Sequence, residues 1–161
     1  MKTLSVPHVQ QSAPGLCLPA CAQMALAYLG VVISLDELTK RLGAQAHIGT
    51  PYSRVTRLAE GLGVDVTFAT GGVLEDLRGA LERSLPAIVF VQAGELPHWS
   101  GIVSPHAIVI AGMDDQAAQA LDPALSSPNP ISVPLGDLLL AWDEMGNAYA
   151  VLNRRSEKQG Q

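Results

Sequence analysis

Four residues in this sequence have the types and settings of a thiol nucleophile's site: Cys17, His106, Asp122 and Gln11. Cys17 follows a Pro14-Gly15 turn and opens the nearly all-apolar stretch Leu18 to Leu29. At the positive end of a helix, unpaired N–H groups and the macrodipole favour a thiolate. A thiolate nucleophile needs a base, and the base needs a partner that fixes its tautomer. Of the four histidines, His8, His47, His98 and His106, the last stands after Pro105 at the head of the β-rich run HAIVIAG. That run turns at Met113 to Gln116 and returns through Ala117 to Leu121 toward Asp122. If the loop is Met113 to Asp115, Gly112 faces Gln116 and His106 faces Asp122 directly, with Cβ atoms about 5 Å apart. A loop one residue longer or shorter breaks that register. Gln11, six residues before Cys17 and across a Ser-Ala-Pro-Gly turn, can aim its amide at the space above the sulfur as an oxyanion donor.

The elements that must position these groups follow from periodicity and punctuation. Leu18 to Leu29 offers only Gln23 and the Tyr28 hydroxyl to water, so it reads as a buried central helix, with Pro19 in its first turn and Gly30 at its end. Cys21, one turn deeper, reads as a small core residue. Ser34 with Glu37 forms a capping box for a helix over Leu35 to Leu42, stopped by Gly43. Residues 44 to 52 read as a loop. Ser53 is expected to cap a third helix, with Val55, Leu58, Ala59 and Leu62 on one face and Gly63 at its end. Val64 to Ala69 alternates as a strand, and Leu74, Leu77, Leu81 and Leu85 mark a helix over Val73 to Ser84. Ala87 to Gln92 and His106 to Gly112 are strands. Residues 123 to 134 read as an irregular loop, Leu135 to Met145 as a short helix and Ala148 to Asn153 as a closing strand. The whole predicts a single α+β domain over 1–153, with helices on one side of an antiparallel sheet, and a frayed polar tail over 154–161.

A chain of 161 residues with 48% apolar and 16% charged residues fits one compact domain. A formal charge of −5 and ten scattered Lys and Arg residues argue against nucleic acid or an anionic membrane as partner. No apolar run reaches membrane-spanning length and the N-terminus has no signal-peptide pattern, so the expected compartment is the cytoplasm. Two cysteines four apart on one helix are poorly placed to bridge each other and suit a reducing environment. Cys17, Cys21, His98 and His106 hold the donor types of a zinc site. Both cysteines, however, lie in or beside one apolar helix with no second tight ligand pair, so neither metal nor cofactor is expected.

Gln11, Cys17 with Pro19-Ala20-Cys21, Met24 and Ala27-Tyr28-Leu29-Gly30 resemble the opening motif of the bacteriocin-processing, double-glycine-leader peptidases, which are papain-like cysteine proteases. HAIVIAGMDD from His106 and LDPA around Asp122 are similar to that family's histidine and aspartate motifs, in the same order and spacing. The likeness spans roughly Val6 to Ala124, with an echo in AWDEMGNAYAVL. It implies a papain-like fold with N-terminal helices packed on a C-terminal antiparallel sheet. It also implies that Cys17 attacks a carbonyl, His106 acts as general base and then acid, Asp122 orients His106, and Gln11 helps bind the oxyanion. Leu18 stands where the family usually has glycine, so it is expected to narrow the cleft or shift substrate preference; His98 and Trp99 are candidates to line the same cleft. The best-known members front peptide-exporting transporters, and this sequence shows neither a membrane nor an ATP-binding domain, so a stand-alone peptidase acting on a peptide or protein is expected. The same residues suit acyl transfer or amide cleavage on another substrate, and a peptide-binding module without turnover is a third reading. The oligomeric state is left open.

Overall fold

The computed structural model describes residues 2–156. Its central helix, α1 (Cys17–Tyr28), forms where the apolar run predicts it, and Leu18, Cys21, Ala22, Met24, Ala25 and Leu26 are buried. Its two polar side chains are spent on main-chain carbonyls: Gln23 Nε2 donates to Ile33 and the Tyr28 hydroxyl to Ser84. Such bonds let an otherwise apolar helix bury polar groups without leaving them unpaired. The second helix, α2 (Leu35–Leu42), starts at Ser34, whose Oγ accepts from the Glu37 N–H at 3.1 Å, and stops at Gly43 in the left-handed region.

Residues 52–59 depart from expectation. They form a 3-10 helix (Tyr52–Ala59) entered from Pro51, not a helix capped by Ser53. Val55 and Leu58 still face the core, while the Thr56 hydroxyl bonds back to the Ser53 carbonyl at 2.9 Å. Val55 and Leu58, three residues apart, are kept on one side by three residues per turn.

Six strands follow: β1 (Val64–Ala69), β2 (Ala87–Gln92), β3 (Pro105–Met113), β4 (Ala117–Leu121), β5 (Ile131–Pro134) and β6 (Tyr149–Arg154). They form one antiparallel sheet in the order β1-β6-β2-β3-β4-β5. β5 lies inside the stretch expected to be an irregular loop. Ile131 to Pro134 pairs with Ala120 to Ala117, and its one proline, Pro134, sits on the edge strand, where a missing N–H costs little. Arg154 and Arg155, expected in a frayed tail, belong to the fold: Arg154 ends β6, and Arg155 bonds to the Asp65 carboxylate and to the Ala59 and Val64 carbonyls. Residues 157–161 of that expected tail lie outside the described residues.

The α+β class holds, but the helices cover both faces of the sheet. Ile88, Phe90, Ala107 and Val109 pack under α1 and α2, whereas Val89, Val91, Ile108 and Ile110 pack under α3 (Leu74–Glu82) and α4 (Leu135–Asp143). β2 and β3 are therefore apolar at nearly every position because neither face meets water.

Candidate active site

Cys17 is the first residue of α1 and is half-buried. The turn before it needs glycine. Gly15 has φ +87°, and a Cβ there would stand 2.8 Å from the His47 N and 3.0 Å from the Gln45 carbonyl. Loop 45–49 thus presses against the turn that delivers the sulfur.

His106 and Asp122 meet, but not as directly opposed residues. β3 and β4 pair Val109 with Leu121 and Ile110 with Ala120, and the register then shifts between Ile110 and Gly112. The turn comprises residues 114–116, closed by Asp114, whose Oδ1 accepts from the Gln116 and Ala117 N–H groups at 2.8 Å each. Continuing the pairing one step sets Asp122 beside Ile108, two residues along β3 from His106. Because side chains alternate, a two-residue displacement keeps both on one face as diagonal neighbours, within reach of each other. His106 Nε2 lies 2.6 Å from Asp122 Oδ1.

The carboxylate of Asp122 is buried and accepts on both oxygens. Oδ1 also takes the Ala124 N–H at 2.9 Å, and Oδ2 takes His98 Nε2 at 2.6 Å and Trp99 Nε1 at 2.9 Å. Asp122 therefore both begins a turn and meets the imidazole. Burial alone would raise its pKa, but the hydrogen bonds from His106, His98 and Trp99 and the charge of His106 outweigh this and hold it far below the usual carboxylate range. Burial pulls His106 down, while its hydrogen bonds to Asp122 and to Cys17 together prevail and raise it to about 9. Since Nε2 is given to Asp122, Nδ1 is the ring nitrogen left uncommitted.

Two pockets flank Cys17. One is walled by His47, Ile48, Thr50, Tyr52 and Met145, the other by Gln11, Trp99, Ile102, Val103, His106 and Ala124. Pro14, Gly15, Cys17, Ser104 and Pro105 line both, so they form a neck joining the halves of one groove. No aspartate, glutamate, lysine or arginine lines either half, whose titratable walls include His47 and His106, and Ile48, Ile102 and Val103 stand exposed on the rim. Among the described residues, the buried side-chain polar atoms without a hydrogen-bond partner are Gln11 Oε1, Thr50 Oγ1 and Tyr52 OH, all from residues of this groove.

A sequence profile of the Peptidase_C39 like family matches residues 3–150. The chain belongs to that family. Membership makes this C39-like protein a cysteine-type peptidase. No curated protein sequence matches it significantly. Among solved structures, a Bacillus anthracis protein described as a C39-like peptidase superposes with a TM-score of 0.80 at 18% identity, over 98% of this chain and 100% of that one. The peptidase domain of Streptococcus ComA, a bifunctional ABC transporter, does so with a TM-score of 0.70 at 17% identity, over 94% and 99% of the two chains. A double glycine motif protease from an AMS/PCAT transporter, solved with its leader peptide, gives 0.68 at 18%, over 96% and 94%. At these identities the likeness establishes the papain-like C39 fold.

In this C39-like chain the other sequence-predicted site residues divide. Gln11 lines the groove, but its Nε2 donates to the Ala13 carbonyl at 3.0 Å, so only its second amide hydrogen is uncommitted. Leu18 does not reach the groove. It is 2% exposed and packs in the core beneath α1, because the residue after the first helical position turns away from the side Cys17 faces. His98 lines neither half of the groove, its Nε2 being bound to Asp122, whereas Trp99 both binds Asp122 and walls the groove. Cys21 is fully buried, and burial raises its thiol well above the ordinary value.

His8 and Tyr52 have places at the site that the sequence reading did not give them. His8 Nε2 donates to the Asp122 carbonyl at 2.9 Å, and the Gln11 N–H to the Pro123 carbonyl at 2.8 Å, so the N-terminal segment braces the aspartate's turn. Tyr52 stacks on Phe90 with ring centres 4.2 Å apart, and burial, then the nearby Cys17, push its hydroxyl up to about 12. Neither residue sits in a motif whose spacing signals a site. Only the fold brings them there.

Proposed function

We propose that the chain hydrolyses a peptide bond in a peptide or protein, with Cys17 as nucleophile, His106 as base and then acid, Asp122 as the group that orients His106, and Gln11 as an oxyanion donor. The observation that carries this reading is the His106 imidazole, held by Asp122 on Nε2 with its other nitrogen uncommitted, lining with Cys17 a groove that runs past the sulfur on both sides.

The thiolate of Cys17 attacks the scissile carbonyl carbon, and the carbonyl electrons move to oxygen. That oxyanion is stabilised by first-turn N–H groups of α1, which the helix itself cannot satisfy, and by the uncommitted Gln11 amide hydrogen. His106 Nδ1 then gives its proton to the leaving amine as the C–N bond breaks, leaving an acyl-enzyme. In the second half, Nδ1 removes a proton from water, which displaces the sulfur and releases the acid. The unpaired Thr50 and Tyr52 hydroxyls, and walls free of aspartate, glutamate, lysine and arginine, suit a peptide main chain bearing apolar or small side chains. A neck formed by Pro14-Gly15 and Ser104-Pro105 favours glycine at the bond cleaved, and double-glycine leaders are the substrates we place first. Two free cysteines suit a reducing compartment such as the cytoplasm.

The test is a set of peptides with and without a double-glycine site, incubated with wild type and Cys17→Ala and read by mass. Cleavage by wild type alone, after glycine, is the expected result. Cleavage by both proteins, or by neither, would defeat the assignment of Cys17.

A further inference from the structure

The proposed mechanism uses one edge of the Asp122 carboxylate, yet the structure invests as much in the other. Oδ2 faces His98 Nε2 at 2.6 Å and Trp99 Nε1 at 2.9 Å, two donors from the single short turn Pro97–Trp99. That turn is itself anchored. Leu96 before it is buried, and the Gln92 side-chain oxygen closes the loop's base by accepting from Ser104 N–H at 2.6 Å. The Trp99 ring also lies 4.8 Å from the His106 ring and forms part of the groove wall.

We propose that His98 and Trp99 are positioning residues that clamp Oδ2 of Asp122, fix the plane of the carboxylate, and so keep Oδ1 on His106 Nε2. A carboxylate held on one edge can rotate about its Cβ–Cγ bond and offer either oxygen at a changed angle; held on both edges by donors from different parts of the chain, it cannot. His98 thereby acts on the reaction through Asp122 and not through substrate. Trp99 links the clamp to the groove, since the ring that walls the substrate's path is the one whose N–H holds the aspartate. The inference rests on Asp122 serving His106 as proposed above.

His98→Ala, His98→Gln and Trp99→Phe test it, with thermal melts confirming folding. With a cleaved peptide, His98→Ala is expected to lower kcat about tenfold and leave KM within about twofold of wild type. His98→Gln, whose amide can still donate, regains most of the loss, and Trp99→Phe, which keeps a ring but loses the N–H, resembles His98→Ala. A raised KM with unchanged kcat in His98→Ala would make His98 a substrate contact and overturn the clamp, as would a glutamine variant no better than alanine. A second readout needs no turnover: above about pH 9, where the His106 ring is neutral, imidazole 15N shifts report its tautomer. Wild type holds the Nε2–H form, and His98→Ala and Trp99→Phe are each expected to spread His106 over two forms. One form throughout overturns the clamp, whether or not any peptide is cleaved. Should His98→Ala fail to fold, Trp99→Phe carries the same test.

Discussion

Every group that touches the Asp122 carboxylate is a hydrogen-bond donor: two imidazoles, an indole and a main-chain amide. That arrangement makes a sharp prediction for Asp122→Asn. An amide of the same shape must turn its NH2 toward one pair of donors. Either histidine can change tautomer and accept, but the Trp99 indole and the Ala124 N–H cannot, so one clash persists in each orientation. A buried unsatisfied donor costs about 1–3 kcal/mol, and the variant should lose stability of that order along with roughly tenfold in kcat. Melting curves and steady-state kinetics check both, and an asparagine variant as stable and active as wild type would sink this account of the site.

At the scale of the element, the turn before α1 decides where the sulfur stands. Gly15 is the residue through which loop 45–49 contacts that turn, and the atoms its Cβ would meet are main-chain atoms that cannot swing aside. Gly15→Ala therefore combines a left-handed backbone, costing about 1–2 kcal/mol, with a displacement of either the loop or the turn. Because Gly15 lines the neck common to both halves of the groove, the expected result is a lowered Tm together with a loss of kcat/KM. A drop in Tm with kinetics intact would show that the turn does not set the position of Cys17. The helix start, the turn and the groove neck are one piece of chain. Their functions do not separate.

For the whole molecule, the ion pair buried between β3 and the turn after β4 ties stability to pH. His106 is raised from the ordinary histidine value to about 9, so the native state holds a proton that the unfolded chain gives up between those values. Its contribution is fully present below about 6.5 and is lost as pH rises through about 9. Asp122 is depressed, so its contribution is present above the ordinary aspartate value and lost as pH falls below it toward the folded one. Stability is expected to be greatest from mildly acidic to neutral pH and to decline toward both ends. Activity should fall on the basic side near pH 9, where the imidazolium that must protonate the leaving amine is lost. Melting temperature against pH for wild type and His106→Gln checks the first statement, since the variant should lose the decline on the basic side. If both proteins follow the same curve, His106 is not the group responsible.

Local signals settled much of this protein from sequence. The apolar run of α1 with Cys17 at its mouth, the Ser34 cap, the alternation of Val64 to Ala69 and the two apolar strands all stand where pattern and propensity put them. Such features depend on residues a few positions apart. The apolar continuity of β2 and β3 also held a message about burial on both faces, which the α+β reading of one-sided helices passed over. Other features were beyond local signals because they depend on contacts distant along the chain. Ile131 to Pro134 is a strand only because β4 offers it an edge, and Leu18 belongs to the core only because the layer below α1 is there to receive it. The turn after β3 and the bulge beside it moved the register by two residues. The even period of a strand is what kept His106 and Asp122 on one face. His98 reached the far edge of the carboxylate through a loop whose path no spacing encodes. Sequence thus set which groups could do chemistry. Packing across the sheet set which of them touch.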